Sequence, residues 1–561
     1  MSERDGMIEI VNPVLRGMYP DPSWMWDGRS EHVAIVNSSF ELVPGLPIHM
    51  SDDLAHWRLV GPAVDEDMAR RLLLRFVLDS GGLYAPTLRR IAGRYVIVCT
   101  VARLDFEAAA QAGVDPAVLG AVRASQGNFV LEADALEGPW RGPYWVVGAE
   151  GIDPDVFEDV DGAVYWTQTR PAKHARWRGQ TEVWTQRIDP ATWRLCTAHD
   201  ADGDYGKTVI WSGYGVEAVW AEGPHLYRLG DWVYLMTAEG GTSFDHSEMI
   251  MRASAPDGLG LAMAATLERM RASDVRTRAP RADERSVVGC RVRLFHPDSK
   301  NPFLTHRHLG TGERVQCVGH ADLLHHPRLG WWAACLGSRE TPTAGHGALS
   351  FLGRETFVAP VDWQRDPARW SLDDGDVGVR DDDPGWPVLA GGAGRLAQTL
   401  RVDAADGRPH DMRMGPCEAC AVIDARAPFD ASRDDVVTVR MDGGVVYRRM
   451  PEDRCVVLCP SQGTVHMRQD GRHALHVTTD GGVSVRWALD EGDGRRMGAA
   501  TVPDGTSRQV MLVFVGGEVR MVMADEATQA WRARPIDVVD VAALSTEWSG
   551  GFVGCLIGVD G

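Results

Sequence analysis

Short apolar runs of about five to eight residues, many alternating with polar positions, recur in pairs along the first two thirds of the chain. Five such pairs are related: Asp21 to Ser38, Ala85 to Thr100, Asp153 to Thr169, Glu222 to Ala238 and His320 to Gly337. Each reads as a β-hairpin. The turns Asp27-Gly28, Asp161-Gly162 and Gly230-Asp231 carry residues that tolerate positive φ, as tight hairpins require. Further strand-like runs follow each pair, with closers at Asp53 to Trp57, Gly138 to Trp140 and Thr192-Trp193. Five repeats of four short strands predict an all-β fold, a five-bladed β-propeller over residues 1–365. The first strand of each blade lines the channel, so Asp21, Ala85, Asp153, Glu222 and His320 are expected at one mouth. A solenoid would set them in a row instead.

The spacing breaks once, at an insert over about 257–300. Its first part, from Leu259, has helical composition. Its second part carries Arg276, Arg278, Arg281, Arg285, Arg291 and Arg293, expected as a lid, an oligomer contact or a solvated loop. Smaller helical inserts are expected at Asp65 to Leu78 and Asp105 to Ser125. An acidic Gly/Pro-bearing stretch, 366–389, including Asp381, Asp382 and Asp383, reads as a linker. Residues 390–561 return to alternating runs punctuated by Asp-Gly and Gly-Gly turns, the pattern of a concanavalin-like β-sandwich.

Composition narrows the partners. A net charge of -20 argues against nucleic acid or an anionic membrane surface. No apolar run approaches the roughly 20 residues that span a bilayer. The first six residues hold two acids and no apolar stretch, so no secretory signal is expected. Ten scattered cysteines suit reduced thiols, and a cytoplasmic location is the expectation. Twenty tryptophans suit either a carbohydrate binder or a large β-core.

The chemistry lies in the repeat register. Tyr19-Pro20-Asp21-Pro22-Ser23 returns as Ile152-Asp153-Pro154-Asp155 and, loosened by a glycine, as Ala221-Glu222-Gly223-Pro224. Proline excludes helix at each acid but is allowed at a strand start. Glycoside hydrolysis needs one carboxylic acid to protonate the leaving oxygen and one carboxylate on the opposite face, as nucleophile or, with inversion, as base for water. Aspartate on a stiff strand start suits a fixed base, and glutamate's longer side chain suits an acid. A third carboxylate raises its neighbour's pKa. The expected roles are Asp21 base, Glu222 acid and Asp153 modulator of pKa and orientation. Capping of strand starts, or ion binding in the channel, would explain one such acid but poorly explains three in register.

Several segments together resemble glycoside hydrolase family 43, in its β-xylosidase/α-L-arabinofuranosidase branch with a C-terminal sandwich. They are Asn12-Pro13-Val14 through Ser23, Asn37-Ser38-Ser39-Phe40, Pro44 to Ile48, Gly82 to Leu88 and Ile152-Asp153-Pro154. Glu222 to Tyr227, Ala238 to Thr242, Gly319 to Asp322 and Leu352 to Thr356 complete the set, which is dense over about 9–363 and thins in the sandwich. The resemblance implies inversion and the same three acid roles. It also implies that Phe40 and Tyr84 shape an apolar wall, that Thr242 contacts the sugar and that Arg354 binds a hydroxyl and holds the acids. His320 would sit on the channel axis, holding water or a calcium ion. No cofactor is required, and calcium is the one ion left open. Tyr84 stands where the family commonly has tryptophan, and Asp155 where it has a small residue.

Other signals weigh less. Cys417, Cys420, Cys455 and Cys459 have the residue types of a metal tetrad but not the spacing, and buried thiols are expected. Asp200, Asp202 and Asp204 begin like a calcium loop that Tyr205 and Trp211 do not complete. The expected function is exo-acting, inverting release of terminal pentose, β-D-xylose or α-L-arabinofuranose, from short xylo- or arabino-oligosaccharides, with a homo-oligomer left open. The rivals are a sugar-binding propeller without catalysis, which would not need three acids, and a sialidase-type glycosidase, whose Asp-box repeats are absent.

Overall fold

The computed structural model describes residues 6–197, 206–413 and parts of 420–560, apart from 216, 274–284, 290–291, 311–312, 344–346, 351–352, 366–382 and several segments between 425 and 555. The readings at Asp200 to Asp204, at Arg276, Arg278, Arg281 and Arg291, at Asp381 and Asp382, and at Cys417 lie outside the described residues.

Each predicted hairpin opens an antiparallel sheet, and successive sheets follow one another along the chain. Their innermost strands are Ser23–Asp27, Thr87–Ile91, Ile152–Glu158, Glu222–Leu229 and Val315–His326. Each inner strand touches the next, and the last returns to the first, so the five sheets close a ring. The second strands are buried on both faces, as in Trp232–Glu239, where every residue is buried. Trp166 and Trp332 on second strands and Trp184 on a third strand are fully buried, so these tryptophans fill the core rather than stack on sugar. Of the three predicted turns only Gly230-Asp231 is a two-residue connection, with Gly230 at φ 56. The other two are longer loops, and the Asp27 carboxylate holds its own by accepting from Arg29 N, Ser30 N and Ser30 Oγ.

A short backbone bridge between Leu15 and Thr356, together with buried side chains, seals the first sheet to the fifth. Asn12 donates to Val358 O and Ala397 O and accepts from Val358 N. Asn37 donates to Tyr19 O, Pro20 O and Thr356 Oγ1. Buried backbone groups at this seam are thereby satisfied.

Two sequence boundaries need correction. The stretch 366–389 is not a linker throughout, because Trp386–Leu389 pairs with Glu355–Gln364 as the outer strand of the fifth sheet. The ring therefore does not end at 365. Asp383, read from its acidic neighbours as linker, is buried and forms a bidentate pair with Arg252 at 2.6 and 3.0 Å. Arg252 also lies over the rings of Trp232 and Trp386, so an aromatic cage replaces its water. Nor does the second body begin at 390. Thr399–Asp403 pairs with Met7–Val11, tying that segment to the chain's start.

The insert is partly woven into the ring. Helix Leu259–Ser273 begins where Asp159 accepts the Leu259 N–H, and it buries Leu259 and Leu267 in the core between the third and fourth sheets. Arg285–Ser286 adds to the third sheet and His296–Pro297 to the fourth. Short helices also stand at Glu66–Arg71, Phe106–Gln111 and Pro116–Ser125, the first two and the last each capped by an aspartate. Beyond 420, a five-stranded and a seven-stranded sheet share one apolar core, with Leu512 and Met521 from one facing Leu475 and Val485 from the other.

Candidate active site

The backbone is irregular at each predicted acid and at His320, either just before an inner strand or within it. Asp21, Asp153 and His320 take left-handed φ values of 50, 56 and 51. Strand register shifts between Ile152 and Asp155, between Glu222 and His225, and between Gly319 and Asp322. An extra residue in one strand re-aims a side chain, here toward the axis of the ring. In the fourth sheet the left-handed position falls on Gly223, at φ 55. A Cβ there would lie 2.8 Å from His320 Nε2, so glycine is required both by conformation and by space.

All eight predicted site residues line one cavity of about 110 Å3, together with Ala85 and Ile152. That is on the order of ten water positions, room for one pentose. Asp21 accepts from Ser38 Oγ at 2.5 Å and meets Arg354 Nη1 at 3.3 Å and His320 Nδ1 at 3.5 Å. Arg354 lies over the Phe40 ring at 5.4 Å, and Phe40 meets Tyr84 at 5.2 Å between centroids. Phe40, at φ 51, is held by paired backbone bonds with Leu83. Asp153 Oδ2 accepts the Gly223 N–H at 3.1 Å, which fixes the peptide that follows Glu222.

The three acids are driven apart in ionisation. Burial raises Asp21, but the Arg354 guanidinium, His320 and the Ser38 hydroxyl outweigh it and hold Asp21 below the usual carboxylate range. Burial, then the charge of Asp21, pushes Asp153 up to about 7 against the Gly223 N–H and Arg354. Burial, then Asp153 and Asp21, lifts Glu222 well above the ordinary glutamate value. Asp21 is thus the more readily ionised of the two and Glu222 the one that holds its proton to higher pH. Opposed shifts of this kind are what a base and an acid require.

Beneath the acids the channel is filled by an ion network that the sequence did not reveal. Arg89 forms a fork on Asp322 at 2.8 and 3.2 Å and reaches Asp155 at 3.3 Å and His225 Nδ1 at 3.2 Å. Ser23 Oγ and Tyr227 OH donate to Asp322, and Leu226 N donates to Asp155. Each of the five inner strands contributes. Burial raises Asp322, but Arg89 dominates and brings it down to about 2. Asp155, unusual for the resembled family, is therefore a counter-charge to Arg89.

This network bears on the calcium left open at His320. Burial lowers the His320 imidazole to about 4, and its neighbours are Asp21, already engaged by Arg354 and Ser38, and the edge of His225. Calcium takes six to eight oxygen ligands. One carboxylate, already engaged by a guanidinium and a hydroxyl, does not supply that set. Cys459, from the proposed cysteine group, is a buried free thiol.

A ring of β-sheets with two carboxyl groups of opposed pKa lining a small pocket has the form of a glycoside hydrolase. Residues 10–262 match the model of Glycosyl hydrolases family 43, and this part of the chain belongs to that family. It is 31% identical over 400 residues to a xylosidase/arabinosidase of Butyrivibrio fibrisolvens, covering 71% of this chain and 59% of the relative. It is 31% identical over 355 residues to a non-reducing end α-L-arabinofuranosidase of Bacteroides ovatus, covering 63% and 52%. The matches thus span little more than half the length of these relatives. The fold is shared with the Bacteroides ovatus xyloglucan-locus GH43B, with TM-score 0.63, 24% identity and coverage of 98% of this chain and 95% of that one. It is also shared with a xylan β-1,4-xylosidase of Bacillus halodurans, at TM-score 0.64, 21% identity and 98% and 96% coverage.

Proposed function

We propose that the protein is an inverting, exo-acting glycosidase that removes a terminal pentose, β-D-xylose or α-L-arabinofuranose, from short oligosaccharides. The ring is read as a five-bladed propeller and the residues beyond 420 as a β-sandwich. The observation that carries the reading is the opposed ionisation of Asp21 and Glu222 across a pocket for a single sugar.

In the reaction Glu222 gives its proton to the glycosidic oxygen as the bond from that oxygen to C1 breaks. Asp21 takes a proton from the water whose oxygen bonds to C1 on the opposite face. The net charge of the pair is unchanged. Asp153 helps keep Glu222 protonated and holds its strand through Gly223 N. Arg354 keeps Asp21 ionised and oriented. Phe40 and Tyr84 form the apolar wall, and Thr242 is placed to contact a hydroxyl. The exo mode is supported by the second body, whose Arg468 pairs with Asp79 close to the Tyr84 side of the pocket.

The test is sugar release from 4-nitrophenyl β-D-xylopyranoside and α-L-arabinofuranoside, side by side, with Asp21→Ala as control. Turnover of either, lost in the variant, is expected. Silence on both, with sugar binding retained in calorimetry, would favour a binding protein.

A further inference from the structure

The described residues expose few large aromatics, and three of them lie beside the site, Tyr214 and Trp220 on the segment ahead of Glu222 and Phe244 on the loop that carries Thr242. Trp220 is the most open, at 48%. It lies two residues before the proposed acid. Its backbone has φ 49, a left-handed conformation that a bulky side chain adopts only when its surroundings impose it.

The surroundings do impose it. Trp220 N donates to Gly179 O, and Gly240 N donates to Val219 O, so the segment is strapped between two loops. One part of the indole rests on backbone: a Cβ on Gly241 would lie 2.7 Å from Trp220 Cε3, and one on Gly179 would lie 3.7 Å from Cε2. The neighbouring loop is anchored in turn by the buried Glu239 carboxylate, which accepts from Trp211 Nε1 and Tyr214 N at 3.0 Å. The result is a rigid aromatic ring, backed by glycine and open to solvent, beside Gly241-Thr242 at the pocket's edge. Exposing an indole costs stability, and among the described residues the contacts that hold the backbone of Trp220 do not cover its ring. A sugar ring would.

We propose that Trp220 is the platform of an aglycone subsite, on which the pyranose ring left behind by cleavage stacks. This rests on the reading of Glu222 as the acid, because the leaving group must extend on the acid's side. A flat indole face fits the apolar C–H face of a β-1,4-linked xylopyranose and poorly fits a methyl aglycone. The pocket then selects the terminal sugar, and Trp220 selects what it is attached to.

The test compares Trp220→Ala and Trp220→Phe with the parent on xylotriose and on methyl β-D-xylopyranoside. For Trp220→Ala, kcat/KM is expected to fall about tenfold more on xylotriose than on the methyl glycoside, with Trp220→Phe recovering most of the difference. Equal falls on both substrates, or none, would overturn the proposal. Calorimetry with Glu222→Ala keeps the subsite separate from the catalytic reading. Tighter binding of xylotriose than of xylose, lost when Trp220→Ala is added, supports the platform even if the parent turns over neither glycoside. Equal binding of the two sugars by Glu222→Ala would overturn it.

Discussion

Replacing Asp153 by asparagine should change how stability depends on pH. The carboxyl is buried and its pKa rises from 3.8 to about 7 on folding. Between those values the unfolded chain gives up the proton first, so it binds fewer protons than the native state. Stability therefore falls as pH rises, and the fall from this group is complete above pH 7. Three units at about 1.4 kcal/mol each make a cost of about 4 kcal/mol at neutral pH that is absent near pH 3. Asparagine is neutral throughout, and its amide oxygen can still accept the Gly223 N–H that Asp153 holds at 3.1 Å. It also removes one of the two charges that raise Glu222. Denaturant unfolding at pH 4.5 and pH 8 should show the variant losing about 2–4 kcal/mol less than the parent between the two conditions. Parallel losses would refute the assignment of Asp153 as a carboxyl held under electrostatic stress.

Other expectations follow from single contacts. Gly223→Ala forces a side chain into a left-handed position and against His320, and kcat/KM should drop about a hundredfold with the fold retained by circular dichroism. Arg252→Ala strands the buried Asp383 and should cost about 3–5 kcal/mol in thermal or denaturant unfolding; a change no larger than that of Arg495→Ala, whose pair is exposed, would put residues 383–389 back in a linker. Dialysis against EDTA should leave activity unchanged and calcium should not raise it, because Asp21, the carboxylate beside His320, is already engaged by Arg354 and Ser38. Activation by calcium would contradict that account of the channel.

Much of the site was legible because its residues recur in register. Asp21, Asp153, Glu222 and His320 each stand at the start of an inner strand or beside a break in one, and a proline or glycine neighbours each of them in the sequence. What was not legible depends on long-range meetings. Arg89 and Asp322 are 233 positions apart, and no periodicity announces that they form a pair. Gly223 looked like loosening of a motif and is instead the position where the His320 ring closes in. Trp386–Leu389 was hidden by the acidic, Gly/Pro-bearing stretch ahead of it, although four consecutive non-polar residues after a Pro-Gly turn suit an outer strand. Trp220 was passed over because a lone tryptophan in a chain with twenty carries no signal until its exposure is seen.

The most direct test of the acid–base assignment is proton NMR of the first sugar released from an oligosaccharide or aryl glycoside that the protein cleaves. With Asp21 activating water on the face opposite Glu222, a β-D-xyloside must yield α-D-xylose first, with the β-anomer growing in only by mutarotation. Release of β-D-xylose first would mean a covalent intermediate, and would contradict the roles given to Asp21 and Glu222.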